Sequence, residues 1–352
     1  MTIITQKNKK IEYNGLFETG CIIKNENLVV GYLKTFPCEM NKNVKNKEYE
    51  LFESENVETC KKILDNFYKS FDSSTEKNKF YYNFNKWRKM WGITMILTQE
   101  NYFSKEANIE YMSVSQFKAF AECEAQALHN IEISGENETT AFLEGKLFEA
   151  WVSGDRQLFM SKHPELISSR GPTAGQLKAE FNKVIKAAEK FLQQDFFKNI
   201  INKCEKQVIL IGEIEGVKTK CALDLFDRET NSIYDIKCMK DFKEQWNKAE
   251  KAYVPWYYIY NYVLQLAVYR EIVRQNFEEP KEVGLISATK EEITDIQALS
   301  FDFKLLDLEL EHFKKNVKRY DDIKKGIVTP TYCGECAYCK SIKQITKFEV
   351  IK

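Results

Sequence analysis

The chain has no net charge: 52 Lys and Arg stand against 52 Asp and Glu. That counts against a protein that coats nucleic acid by bulk charge. It leaves room for an enzyme that meets DNA through one local groove. No apolar run reaches the ~18–20 residues a bilayer-spanning helix needs. The opening residues, MTIITQKNKK, lack the apolar centre of a signal peptide. A cytoplasmic protein with no membrane partner is expected. There is no internal repeat. No P-loop or G-x-G-x-x-G occurs, which excludes an ATP-driven motor in this chain. Only three histidines are present. His129, His163 and His312 fall on separate segments without matching partners, so each is read as a surface or core residue rather than a general base.

What is present suffices for one large domain or two smaller ones: 352 residues, 43% of them hydrophobic. Residues 1–94 and 95–352 read differently. The first part has strand-like pieces at 21–23 and 28–33. A Lys- and Asn-rich stretch follows, then a predicted helix over 57–71 and a polar break at 72–79. No chemical signature lies there. Met95 opens MILTQENYFS, which reads like a natural start. Residues 1–94 are therefore an N-terminal extension, either an appended domain or joined upstream sequence.

From Ser113 the pattern is helical, with Ser113 or Ser115 as cap. Further helices are predicted over 139–152 and 176–194, the latter from the spacing of Leu177, Phe181, Ile185, Ala188 and Leu192. The period then changes to strands at 207–211, 217–226 and 232–238. A helix over 257–275, a strand over 283–288 and a charged helix over 303–325 follow. This order predicts a mixed α/β domain with a central sheet flanked by helices.

Asp224 lies near the end of the second predicted strand, in CALDLF, and Asp235 and Lys237 lie two apart on the third, in YDIKC. Residues i and i+2 of a strand share a face. Asp224 can come level with them across the hairpin. Taken alone this pattern fits an exposed strand end with a salt bridge, since a bare D-x-K is common; it also fits a divalent cation such as Mg²⁺, which takes oxygen ligands and keeps several waters. A neighbouring lysine can orient the attacking water.

The segment GVKTKCALDLFDRETNSIYDIKC resembles the core of the PD-(D/E)XK nucleases, a restriction-endonuclease-like fold. There, an Asp on one strand precedes a (D/E)-x-K on the next. Upstream, Gly145 to Glu149 resembles the helical G-x3-(H/E/D) motif of the RecB-like branch, with Glu149 where His is commoner. Downstream, Gln265 and Tyr269 match its Q-x3-Y motif, associated with DNA contact and support of the site. YMSVSQFKAFAECEA, QVILIGEIEGV and CGECAYCK extend the likeness to phage-type exonuclease VIII, the RecE-like nucleases, over residues 95–345. The resemblance implies Mg²⁺ (or Mn²⁺) held by Glu149, Asp224, Asp235 and the carbonyl of Ile236, with Lys237 positioning the water. It implies hydrolysis at double-stranded DNA ends, in recombination or repair, with a single-strand annealing protein as partner and a toroidal homo-oligomer as an option. Two other functions stay open. One is a non-catalytic iron–sulfur DNA-binding module. The other is a CRISPR-adaptation or helicase-associated nuclease of the same superfamily.

Ten cysteines are present. In a reducing compartment they are not read as disulfides. Cys21, Cys38, Cys60, Cys204, Cys221 and Cys238 are scattered and are read as small buried hydrophobes. Cys333-x2-Cys336-x2-Cys339 is a tight array of soft ligands that fits zinc or an iron–sulfur cluster with a fourth cysteine. Iron–sulfur nucleases of the RecB-like branch place one cysteine before the core and three after it. By that resemblance Cys123 is the fourth ligand, and the centre is expected to be 4Fe-4S, with Zn²⁺ as the alternative. It would act as a staple. Trp246, Trp256 and the tyrosines at 253, 257, 258, 260 and 262 are read as core packing, with stacking on unpaired bases as their other use.

Overall fold

The computed structural model describes four strand backbones before residue 55, and residues 97–345 apart from 100, 134–138 and 249. The helix and break expected over 57–79 lie outside the described residues, as do Cys38 and Cys60. The chain forms two compact units, Met1–Leu97 and Thr98–Lys352. In the first, β1 (Thr2–Ile11), β2 (Gly15–Asn25), β3 (Leu28–Phe36) and β4 (Lys47–Ser54) form an antiparallel meander in that order. The strand-like pieces at 21–23 and 28–33 fall in β2 and β3 and pair, Cys21 opposite Gly31.

The second unit begins with short α1 (Lys105–Glu110), α2 (Val114–Glu122) and α3 (Glu124–Ile133). Ser113, not Ser115, caps α2: it forms a reciprocal capping box with Gln116. Then come α4 (Thr140–Ser153), capped by Thr139, α5 (Arg156–Lys162), α6 (Ala179–Leu192) and α7 (Asp195–Lys203). Helix α6 starts three residues later than its periodicity suggests, because Leu177 forms a bridge with Ile167.

The sheet follows: β5 (Glu205–Ile214), β6 (Val217–Asp227) and β7 (Ser232–Met239). Glu215 and Gly216, both at positive φ, make the two-residue turn between β5 and β6. A small hairpin, β8 (Gln245–Asn247) and β9 (Ala252–Val254), precedes α8 (Trp256–Ile259) and α9 (Tyr262–Asn276). The single helix expected over 257–275 is thus two, parted by Asn261 in the left-handed region at φ 52°. Strands β10 (Val283–Thr289) and β11 (Ile296–Ser300), helix α10 (Phe303–Lys324) and short α11 (Ala337–Ser341) complete the unit.

The sheet order is β11-β10-β7-β6-β5. Only β7 and β10 run parallel, and the chain between them supplies the crossover that a parallel pair requires. All seven residues of β10 are buried, as expected for a strand covered on both faces. On one face Leu285 and Ile233 pack with Leu264, Val268 and Phe313 of α9 and α10. On the other, Ile286 and Ile236 pack with Leu147 of α4 and Val184 of α6. This is the mixed sheet between helices that the element order predicts. No helix of the described residues is long and apolar enough to cross a membrane.

Candidate active site and cysteine centre

Strands β6 and β7 share three residue pairs, from Asp227↔Ser232 to Leu225↔Tyr234, where their ladder ends. At that opening Asp224 Oδ2 accepts a hydrogen bond from the Ile236 N–H at 3.0 Å. The carboxylate takes the place a backbone carbonyl would hold in a continued ladder. Its Oδ1 accepts from Gln207 Nε2 at 3.1 Å. Gln207 has φ 53° inside β5, a costly backbone state for a non-glycine residue, and the β5–β6 register skips it.

Asp235 and Lys237 share a face of β7. Lys237 Nζ lies 2.5 Å from Asp235 Oδ2 and 3.8 Å from Asp224 Oδ2. The shorter contact is a buried ion pair, and Lys237 is the one partner of Asp235 Oδ2 among the described residues. Lys237 Nζ also donates to the carbonyl of Ile236 at 3.2 Å. On α9, Gln265 Nε2 donates to Asp235 Oδ1 at 2.7 Å. Glu149 comes from α4, which packs on the opposite sheet face, and pairs with Lys146 at 2.9 Å. Glu149, Asp224, Asp235, Lys237, Gln265 and Tyr269 all line one cavity of about 300 Å³. The six side chains singled out in the sequence therefore meet in one place.

The cavity is short of positive charge. Burial pushes the Asp235 carboxyl up to about 7; Lys237 opposes the shift and Asp224 adds to it. Burial, then Asp224, also raises Glu149. Burial works to lower the Lys237 amine, but Asp235 and Asp224 outweigh it and hold the amine charged, above its ordinary value. A hard cation fits this set: carboxylate and carbonyl oxygens as donors, and carboxylates that resist ionising together.

Sequence reasoning missed Gln207 and Lys118. Lys118, on α2, donates to Gln265 Oε1 at 3.3 Å and to the Tyr260 carbonyl at 2.9 Å. Burial, then repulsion from Lys237, lowers its amine to about 8. Neither residue carries a local signal, because each matters only through contacts distant in sequence. The histidines stay outside the cavity: His129 stacks on Tyr338, His163 meets Glu165 and His312 touches Phe117.

The cysteine centre stands at the junction of α2 and α3. Cys123 Sγ lies 3.6 Å from Cys339 Sγ and 3.7 Å from Cys336 Sγ, and Cys333 Sγ lies 3.8 Å from Cys339 Sγ. All four lie within 4.8 Å of one another. Gly334, at φ 75°, turns the N–H groups of Glu335 and Cys336 onto Cys333 Sγ at 3.4 and 3.3 Å. Those N–H groups push the Cys333 thiol down to about 6, towards the thiolate a metal takes. Beside it, Glu124 receives both Nε and Nη2 of Arg319, at 2.7 and 2.8 Å, and the N–H and hydroxyl of Thr331.

A mixed sheet between helices, with acidic residues and a lysine where two of its strands part, is the nuclease-like PDDEXK fold. Residues 113–342 match the family described as PDDEXK-like domain of unknown function (DUF3799), and the chain belongs to that family. Among solved structures it is similar to the crystal structure of a "Putative exonuclease" from Eubacterium rectale. The two are 30% identical, with a TM-score of 0.67, over 73% of this chain and 97% of that one. A second solved structure, SSO0001, is 16% identical with a TM-score of 0.24 over 56% of this chain and 84% of that one, and it carries no argument. No curated protein sequence matches the chain.

Proposed function

We propose that the chain is a divalent-metal-dependent DNA exonuclease. The observation that carries this reading is the convergence of Glu149, Asp224, Asp235 and Lys237 on one cavity. The likeness to a structure named as an exonuclease supports it. Glu149, Asp224 and Asp235 would hold Mg²⁺ or Mn²⁺, with the Ile236 carbonyl beside them. The cation would supply a Lewis acid for the phosphate and offset the charge that develops on it. Lys237, kept charged by two carboxylates, orients the attacking water and donates towards the phosphate oxygens. Gln265 fixes the rotamer of Asp235. Tyr102, Phe103 and Tyr269 line the same cavity and would limit water around the reacting bond.

The substrate in this reading is the end of double-stranded DNA, in RecE-like recombination or repair. The single strand left by digestion would pass to an annealing protein, and the chain would act as a homo-oligomer. The four cysteines hold a metal that staples the C-terminal segment to α2. Their spacing supports a single ion over the expected 4Fe-4S cluster. Tetrahedral bonds of ~2.3 Å put thiolates ~3.8 Å apart, whereas an inorganic iron–sulfide core would hold them farther apart.

The test is digestion of linear and circular DNA, end-labelled where ends exist, with Mg²⁺, Mn²⁺ or EDTA. Metal-dependent release of nucleotides from the linear form alone is expected. Equal cutting of circles would replace the exonuclease with an endonuclease. Binding without cutting in either metal would leave a DNA-binding module.

A further inference from the structure

The β8–β9 hairpin carries two aromatic rings that the core does not use. Trp246 and Tyr253 are direct cross-strand partners, so both rings project from the same face. They meet edge to face, centroids 5.5 Å apart at 69°, and are 53% and 67% exposed. Their neighbours Val254 and Trp256 are buried, and Trp256 stacks on Phe242. The hairpin is thus anchored at its base and bare at its tip. Its turn is held by mutual hydrogen bonds between Asn247 and Glu250. Exposed lysines at 240, 243, 248 and 251 lie in the same segment, with the acidic Asp241, Glu244 and Glu250 among them.

The root of this hairpin stands beside the candidate active site. Gln245 of the hairpin donates to the Tyr260 hydroxyl at 3.1 Å. The Tyr260 ring lies 5.8 Å from Tyr262, and Lys237 Nζ lies 5.4 Å above the Tyr262 ring. Tyr260 and Tyr262 thus link the root of the hairpin to Lys237. Aromatic faces with lysines between them suit a strand of unpaired nucleotides, bases stacked and phosphates neutralised. A protein partner would explain the apolar rings but not their place beside a site that, in the nuclease reading, handles phosphate.

We propose that Trp246 and Tyr253 form a base-stacking platform that engages unpaired nucleotides of the DNA strand at the mouth of the active site. This rests on the nuclease reading for its choice of ligand. The platform would hold the strand by its bases, independent of sequence, while the cavity holds one phosphate.

The test measures binding in EDTA, so that nothing is cut, with the full chain and two labelled 12-nucleotide strands. One carries ordinary bases; the other has abasic sites through its centre. W246A/Y253A should lose about tenfold or more in affinity for the ordinary strand, the scale of one or two lost stacks, and little for the abasic one. W246F/Y253F should keep most of the affinity. Both rings are more than half exposed, so unchanged circular dichroism and melting are expected. An equal loss on both strands, no loss on the ordinary strand, or no binding by the native chain each overturns the platform. A chain that binds through these rings but cuts nothing in Mg²⁺ would instead remove the nuclease reading and leave the platform standing.

Discussion

Gln265 Nε2 donates to Asp235 Oδ1 at 2.7 Å, between residues 30 apart in sequence. The amide cannot turn over freely, because Lys118 Nζ stands 3.3 Å from its Oε1 and an ammonium only donates. Lys118 therefore orients Gln265, and Gln265 orients Asp235. Second-row partners of a metal ligand commonly contribute 10–100-fold in affinity or activity. Lys118→Met is expected to weaken Mg²⁺ binding by about tenfold without unfolding the domain, and Gln265→Leu by at least as much. Calorimetric titration with Mg²⁺ checks this. Native affinity in both variants would show that Asp235 needs no such support.

The Asp235 carboxyl gives the metal-free protein a defined pH dependence. Its folded value is about 7 against an ordinary 3.8, with burial as the main cause. The folded state binds this proton more tightly than the unfolded chain does. Its contribution to stability is complete below about 4 and is lost as pH rises through about 7. Glu149 is shifted in the same direction. Melting in EDTA should fall between about pH 4 and 7, and Asp235→Asn should flatten that slope. Mg²⁺ should restore the native protein most at the alkaline end, because the cation replaces the proton. A native melting point that climbs over this window in EDTA would contradict the electrostatics described.

Catalysis should depend on Lys237 more than folding does. Its amine faces Asp235 and Asp224 at 2.5 and 3.8 Å, and no other amine lies so near them among the described residues. Lys237→Ala should lower cleavage by about 10²-fold or more, and so should Asp235→Ala. The two should part in stability. Lys237→Ala leaves buried carboxylates without their counter-ion and destabilises the metal-free protein. Asp235→Ala removes a strained charge and costs less. Full activity in either purified variant would end the proposed mechanism.

The convergence of Asp224, Asp235 and Lys237 was legible because strand geometry is short-range: Asp235 and Lys237 two apart on one strand, Asp224 on its neighbour. Several of the elements that escaped had little pattern to read, although α7, which also escaped, is amphipathic, with Phe197 and Ile201 buried. β8 and β9 have three residues each, too few for alternation. β11 is an edge strand with no buried residue. The break at Asn261 has no proline or glycine to mark it, only a left-handed residue. Lys118 and Gln207 were invisible for a different reason. Their partners lie 147 and 17 residues away, so only the folded sheet and helices give them a task.

Cys123 is the residue that decides what the cysteine centre contributes. It lies 216 residues from Cys339, yet their sulfurs are 3.6 Å apart. A metal among four thiolates binds the folded chain and not the unfolded one, so its binding energy becomes folding energy. Cys123→Ser should therefore lower the melting point well beyond Cys204→Ser. Cys204 is equally buried but stands outside the four-cysteine group, and its thiol is pushed up to about 12 mainly by burial. The comparison has an internal control. Glu124 ties the C-terminal segment to α3 through Arg319 and Thr331 without any metal, so the variant should keep its fold. After chelation, the native protein should melt near Cys123→Ser, and the gap between the two should close. The purified native chain should carry about one equivalent of zinc-like metal, given the 3.6–3.8 Å sulfur spacing. Iron and sulfide in a brown protein would restore the 4Fe-4S reading. A gap between native and variant that survives chelation would mean that Cys123 stabilises the fold by packing alone.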